Sequence, residues 1–519
     1  MHTLWRTACR SLVVTVFLCF ALPWAASAVE TGAAFLAALE SITPTELQSH
    51  VDYLADDLRE GREAGTRGGR EAGDYLAARL EALGFRPAGP DGGFYQHFPP
   101  NFRNVLALLP GSGPELEREY IVLGAHYDHV GRGTKRNSPG PAGEIHNGAD
   151  DNASGTSAVL EILEALSMLP ESPRRSILVA FWDAEEKGLL GSKHWTAHPT
   201  VPLERMRLSI NMDMVGRLRD DRMIVMGSRT GYGLRRLVCR QNVATDLLLD
   251  FPVAVLAVSD HHPFFAKGIP AITLHTDVHD DYHRPSDDAD RINAAGMRRI
   301  ARLMFRLVHD LANQDEMPAF REASRQETDN HPPLLSAKPA APVRLGATWA
   351  AEQTSGPGVE LKTVAQQSPA QRAGIRAGDR IVELAGQEIA GGDELIRTVM
   401  TAEESVQARV IRAGHEEPVA LTIQLDGRPL RLGVAWRVDD AEPGTVILSY
   451  ILPGSPADLA GLQVDDRVYQ VAGRDLVDEA DFADRIADLP APLELIIERK
   501  GRIRRVVIAM EAAPTRRAG

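Results

Sequence analysis

The sequence predicts an α/β fold: a mixed, mostly parallel sheet sandwiched by helices, followed by two small β-rich domains. Three observations lead there. Between about residues 31 and 312, short apolar runs alternate with stretches of helical period, the pattern of strands covered on both faces by helices. Several of those runs end directly in polar clusters, as in IVLGAHYD, ILVAFWDAEE and LSINMDM, and open α/β sheets bind ligands at strand carboxyl ends. Beyond residue 343, two separated blocks recur 87 residues later without a gap.

In chain order, residues 1–28 form a predicted secretory signal. Arg6 and Arg10 supply the basic start, residues 12–22 the apolar run, and Ala26-Ser27-Ala28 the small-residue cut. The run is too short for a comfortable membrane span, so no span is expected in the mature chain. The expected location is secreted, periplasmic if the source is Gram-negative; an uncleaved anchor is the alternative. Cys9 and Cys19 fall inside the signal, which leaves Cys239 alone in the mature chain and excludes an intramolecular disulfide. A single helical cysteine reads as a buried structural thiol.

Residues 29–312 carry the alternating pattern. Helical period covers 47–58, 72–83 (stopped by Gly84), 154–166, 232–241 and 294–311. Strand-like runs cover 104–109, 120–125, 176–182, 208–212, 223–226 and 271–274. Residues 313–342 lose this periodicity and collect Pro332, Pro333, Pro339 and Pro342, the composition of a semi-extended linker. After it, RLGATW from Arg344 returns as RLGVAW from Arg431, and SPAQRAGIRAGDRIVELAGQEI from Ser368 returns as SPADLAGLQVDDRVYQVAGRDL from Ser455. One offset in two blocks marks duplicated domains, 343–425 and 430–512, longer than the units of a solenoid.

Composition narrows the function. The chain has 519 residues, 44% hydrophobic and 25% charged, as expected of a soluble globular protein with about three domains. A net charge of -14 and a pI near 5.6 argue against a phosphate-backbone binder, so no nucleic-acid partner is expected.

The polar clusters contain His126, Asp151, Glu186, Asp213 and His283, two imidazoles and three carboxylates. A buried carboxylate cluster is costly unless metal or protons neutralise it. Zinc accepts both donor types, and three protein ligands per ion leave a position for water. Five residues serve two ions if one carboxylate bridges. His129, His146 and His279 are expected as surface histidines, and Asp260 with His261 as the start of a helix through an N-cap pattern.

In this order, the blocks GAHYD, GADDNASG, DAEEKG, NMDMVG and DYHRPSD resemble the M28 family of zinc metallopeptidases, aminopeptidase branch, over residues 45–310. The flanking LADDLREGREAGTRG, RNVLALLPG and SDHHPFFAKGIPA agree with it. The resemblance implies two zinc ions, one held by His126 and Asp213, the other by Glu186 and His283, with Asp151 bridging. It implies a cis Asp151-Asn152 bond, a metal-bridging hydroxide as nucleophile and Glu185 as general base. Asp128 is expected to accept the second N–H of His126, and Tyr282 to stabilise the oxyanion. Peptides are the implied substrates, cut at their first bond.

A carboxypeptidase or dipeptidase of the family shares these ligands, and Arg217 and Arg284 beside them leave the choice of substrate end open. A glutaminyl-cyclase-like reaction on one zinc, and an inactive hydrolase serving as a scaffold, are further alternatives. Ligands alone do not fix the metal, and cobalt or manganese can substitute. The repeated blocks resemble bacterial PDZ domains, which implies peptide C-termini as partners, held at the Arg-Leu-Gly loops.

Overall fold

The computed structural model describes residues 22–329, 344–349, 356–427, 429–488 and 492–509. The predicted signal up to residue 21 and the linker stretch 330–342 lie outside the described residues. The first described helix, α1 (Leu22–Ser41), runs across the expected cut after Ala28. Among the described residues, no helix is long and apolar enough to cross a membrane.

Contacts divide the chain into two compact units. One combines the residues up to Leu218 with His275–Met317; the other combines Arg219–Leu274 with the chain from Pro318 onward. The expected span 29–312 is therefore shared between them.

In the first unit, strands β1 (Arg86–Pro87) and β2 (Tyr95–Phe98) both pair antiparallel with β3 (Phe102–Leu109). β3 pairs antiparallel with β5 (Ser176–Trp182), which pairs parallel with β4 (Tyr120–His126); β4 in turn pairs parallel with β6 (Met206–Met212). Every residue of β5 is buried, as are all but the first of β4 and all but Arg207 in β6. That burial is why these strands read as unbroken apolar runs instead of alternating ones.

Helices α2 (Pro44–Leu54), α3 (Arg67–Ala82), α4 (Gly155–Ser167), α5 (Leu190–Ala197) and α8 (Ala294–Asn313) complete the unit. Their starts follow local chemistry. The Thr43 hydroxyl accepts the Glu46 N–H ahead of α2, Pro44 occupies the first turn, and Asn293 accepts the Gly296 N–H ahead of α8. Such caps stabilise a helix by about 1 kcal/mol. The predicted helix 47–58 stops at Leu54 because the chain turns there into a 3-10 segment, Asp57–Arg62, with left-handed Glu60 and Gly61.

The second unit holds β7 (Arg222–Met226), paired parallel with β8 (Leu248–Asp250), together with α6 (Leu234–Asn242), α7 (His261–Ala266), and most of β9 (Ala271–His275). It also holds the two repeated domains. The first has strands Ala347–Trp349, Val359–Val364, Arg380–Leu384, Ser405–Ile411 and Val419–Gln424 in that sheet order; the second has Val434–Arg437, Val446–Ile451, Arg467–Val471, Leu493–Arg499 and Arg502–Ile508 in the same order. Each has its own apolar core. Ser368 and Ser455 each cap a one-turn helix with proline in its first turn. Ala385-Gly386 and Ala472-Gly473 both take positive φ, the conformation a two-residue hairpin turn requires.

The second domain is fastened to the Arg219–Leu274 segment. Arg235 donates two hydrogen bonds to the fully buried Glu498 (2.9 and 3.0 Å), and the Leu249 amide donates to the Lys500 carbonyl at 2.9 Å. Arg229 bonds both Glu327 and Asp439, while Arg321 bonds Glu327 and Asp440. Arg321 and Glu327 lie in the stretch read as a structureless linker. They are instead buried members of this ion-pair network, and hydrogen bonds from both arginines hold Glu327 at about 2 although burial alone would raise it.

Candidate metal centre

Strand register brings the polar clusters together. His126 pairs with Trp182 across β4 and β5, and Gly124 pairs with Asn211 across β4 and β6, so all three strands finish side by side. His126 ends β4, Glu185 and Glu186 follow β5, and Asp213 follows β6. Asp151 arrives from the turn before α4, and His283 from the segment after β9, in the left-handed region at φ 52°.

Two groups of donor atoms result, each within 4.8 Å: His126, Asp151 and Asp213; and His129, Asp151, Glu186 and His283. The His126 Nε2 lies 3.3 Å from one oxygen of Asp151 and 3.3 Å from Asp213. The His283 Nε2 lies 2.9 Å from the other oxygen of Asp151 and 3.2 Å from Glu186. Asp151 therefore faces both imidazoles with separate oxygens. Burial opposes its charge, but the bonds to His126 and His283 hold it well below the usual carboxylate range. For His283, burial works downward, and the bonds to Asp151 and Glu186 lift it to about 11.

The chain fixes the direction in which these imidazoles point. The Nδ1 of His126 lies 3.1 Å from the Asp128 carbonyl, and that of His283 lies 2.9 Å from the Asn137 carbonyl. A carbonyl only accepts, so Nδ1 carries a proton in each ring, and Nε2 is the atom that faces the carboxylates: it donates to them when protonated and would offer its lone pair to an ion. Ser138 supports the second arrangement by donating to the His283 carbonyl at 2.9 Å.

Around Asp151, the Asp287 carboxylate accepts the amides of Asp150 and Asp151 at 3.0 and 3.1 Å; burial first, then the Asp150 charge, raise Asp287 to about 7. Fully buried Arg62 donates to the carbonyls of Leu54, Tyr127, Asn147 and Gly148, joining the His126 and Asp151 loops. Gly148, at φ 58°, leaves no room for a Cβ: one built there would lie 2.4 Å from the His129 ring. The Asp151-Asn152 bond is cis, as the family resemblance implies. Arg62 and Asp287 had no assigned role at the sequence level, although both lie inside the blocks that carry the resemblance.

Several expectations change. The Asp128 carboxylate does not bond the His126 Nδ1: its oxygen is 3.8 Å away and instead accepts the Glu185 amide at 2.9 Å, while the Asp128 main chain takes the imidazole proton. His129, His146 and His279 are not surface residues; all three are buried. His279 contacts Asp150 at 3.1 Å, and His146 contacts Ser138 at 2.7 Å. His129 joins the donor group itself, with Nδ1 2.8 Å from Glu186. The HYDH run held the clue, an imidazole directly after the HxD pair. Asp260 precedes α7 but makes no side-chain cap bond. Tyr282 stacks on His283 with ring centroids 3.9 Å apart; burial, then the charges of Asp151, Glu186, Asp213 and Glu185, raise its hydroxyl. Cys239 is buried as expected.

The donors suit zinc. Ligand atoms of a tetrahedral ion bound at about 2.0–2.1 Å lie roughly 3.3 Å apart. Both His126 distances meet that spacing, and those of His283 approach it. Two imidazoles and three carboxylates are donor types that zinc accepts.

Residues 104–308 match the family model described as Peptidase family M28, and residues 360–425 and 447–499 match that of the PDZ domain. Leupeptin-inactivating enzyme 1 of Streptomyces exfoliatus is 26% identical over 248 residues, covering 47% of this chain and 50% of that protein. Aminopeptidase YwaD of Bacillus subtilis is 28% identical over 210 residues, covering 38% and 43%. The chain thus spans half or less of the length of these curated relatives. Among solved structures, the Legionella pneumophila LapA aminopeptidase is 20% identical, covering 54% of this chain and 75% of that one at a TM-score of 0.45.

Proposed function

From a chain that contains a peptidase family M28 domain followed by PDZ domains, we propose an exported two-zinc aminopeptidase that removes N-terminal residues from peptides. The carrying observation is the position of Asp151, whose two oxygens face His126 and His283 separately. His126 and Asp213 would hold one ion, Glu186 and His283 the other, with Asp151 between them. Zinc bound there supplies Lewis acidity toward the scissile carbonyl and lowers the pKa of a water.

The chain's own groups do the rest. Glu185, partly exposed just after β5 and with its amide fixed by Asp128, is the group proposed to take a proton from water and return it to the leaving amine. Tyr282, held against His283, is the candidate donor to the developing oxyanion. The choice of substrate end follows from charge. A carboxypeptidase needs a cation free for the terminal carboxylate, whereas Arg217 is committed to Asp281 at 2.7 Å and lies 3.7 Å from Asp287, and Arg284, the other arginine beside the ligands, donates to the Pro139 carbonyl at 3.2 Å. The remaining carboxylates suit a free amine. Export rests on the signal-like start, and the Arg-Leu-Gly loops are the proposed seats of peptide C-termini, although in the second copy the Gly433 amide already donates to the Leu430 carbonyl.

Rates on a leucine amide, its N-acetylated form and an N-blocked dipeptide with a free carboxylate test the substrate end. Hydrolysis confined to the free amine is expected; cleavage of the blocked dipeptide alone would establish a carboxypeptidase.

His129 is assigned a supporting role. Its Nδ1 is 2.8 Å from Glu186, an ordinary hydrogen-bond length, but 3.8 Å from Asp151, longer than the spacing of a shared ligand sphere. Burial lowers its pKa and favours the neutral ring, so Nδ1–H donates to Glu186 and orients that ligand. His129→Ala should weaken zinc binding by about 10–100-fold, the usual cost of losing such a partner. His129→Asn keeps a donor at the Nδ1 position and should restore most of the affinity in a competitive chelator titration. Equal losses in both variants would make His129 a ligand.

A further inference from the structure

We propose that the pocket between the second repeated domain and residues 228–253 binds a small oxyanion, a carboxylate or phosphate. The pocket has a volume of about 70 Å³, and its charged lining comprises four arginines, Arg229, Arg235, Arg437 and Arg467, against two carboxylates, Asp439 and Glu442. One water needs about 10–15 Å³ of such space, so the pocket admits a group of a few heavy atoms.

The charges around it are unevenly matched. Arg229 is spent on Glu327 and Asp439, Arg235 on Glu498, and Arg467 on Glu442 at 2.9 Å. Arg437 is the exception. Its Nε and one Nη are buried without a hydrogen-bond partner, and its other Nη approaches Asp465 only to 3.8 Å. Burial, followed by the Arg467 charge, pulls its pKa down, as expected of a guanidinium short of counter-charge. Buried donors are nearly always paired, by an ion or water if not by protein. Both lining carboxylates are already bonded to arginine, so an added cation would meet an arginine-rich wall, whereas an added anion supplies the missing acceptor.

The repeat shows that this feature is specific to the second domain. Arg467 has its counterpart in Arg380, and the two occupy matching pairs, Arg467 with Glu498 and Arg380 with Ile411. At the offset of 87, Arg437 corresponds to Ala350, Asp439 to Glu352, Glu442 to Ser355 and Glu498 to Ile411. The residues that distinguish the second copy are those that build the pocket and its fastening to the 228–253 segment. An anion held there would tie Arg437 and Arg467 of the domain to Arg229 and Arg235 of the segment.

Calorimetric titration of the full chain with inorganic phosphate and, separately, acetate, at constant ionic strength, tests this. Saturable binding of at least one ion is expected, with the tighter of the two naming the source. Arg437→Gln should weaken that binding about tenfold or more, the worth of one charge-assisted hydrogen bond. Arg505→Gln, at an exposed arginine paired with Glu494, should leave it unchanged. Phosphate held at the metal centre would persist in Arg437→Gln and is thereby separated. Absence of saturable binding of both ions, or equal binding by wild type and a folded Arg437→Gln, would overturn the proposal. If Arg437→Gln does not fold, Arg437→Lys, which keeps the charge and loses the Nε donor, takes its place in the same titration, and binding unchanged from wild type would overturn the proposal.

Discussion

Glu185→Gln should lower kcat by about 10²–10⁴-fold, the usual contribution of a positioned general base, while zinc content and fold stay unchanged. Three features place the effect on proton transfer. The Glu185 amide is fixed by Asp128 at 2.9 Å, so the side chain leaves a defined backbone position. Ala184, in the left-handed region at φ 60°, turns the chain between β5 and the glutamate pair, of which Glu186 but not Glu185 belongs to a donor group. The Glu185 charge acts on both His126 and Tyr282, so it lies within reach of the reacting centre while standing outside both donor groups. Glutamine preserves size and removes the basicity. Turnover within a few-fold of wild type would mean that another carboxylate is the base.

Asp151→Ala should have the other large effect, this time on metal content. Both imidazoles that present Nε2 to the cluster meet Asp151, so its loss opens both donor groups at once and leaves fewer than three assigned protein ligands for each ion. The expected result is loss of bound zinc on dialysis, with activity falling by more than the 10–100-fold typical of an outer-shell partner. Metal analysis beside circular dichroism distinguishes this from unfolding. Retention of both ions by a folded Asp151→Ala would refute the bridge. A conservative His126→Gln should be milder, since Asp213 and Asp151 remain to that ion.

How much of this was legible in the sequence depended on how far apart the cooperating residues lie. The central strands were readable to within two residues because burial on both faces leaves a continuous apolar run; β4 to β6 could hardly be anything else. Their polar ends followed at once. The short strands β1 and β2, each antiparallel to β3, and β8, were not readable, since two to four residues carry no period. The histidines were misjudged for a different reason. His129, His146 and His279 lie in loops, and their burial comes from partners far along the chain: Glu186 for the first, Asp150 for the third. Local composition carries no trace of such contacts.

Asp128 shows a subtler limit. Sequence placed it beside His126, but which of its two acceptors meets the imidazole is a matter of backbone path, and the main chain takes that bond. Arg321 and Glu327 were hidden by their surroundings, a polar stretch without period in which a buried ion pair looks like any solvated charge. The repeat offered a better signal than was used. Glu498 stands where the first copy has Ile411, and a glutamate in a buried strand position of one copy only implies a partner outside that copy; Arg235 is that partner.

The most direct test of the central claim is a zinc titration of the metal-free protein, followed by leucine-amide hydrolysis at each addition. A two-ion centre bridged by Asp151 predicts that activity rises to a plateau at about two equivalents per chain. A plateau at one equivalent, or hydrolysis that survives without metal, would contradict it.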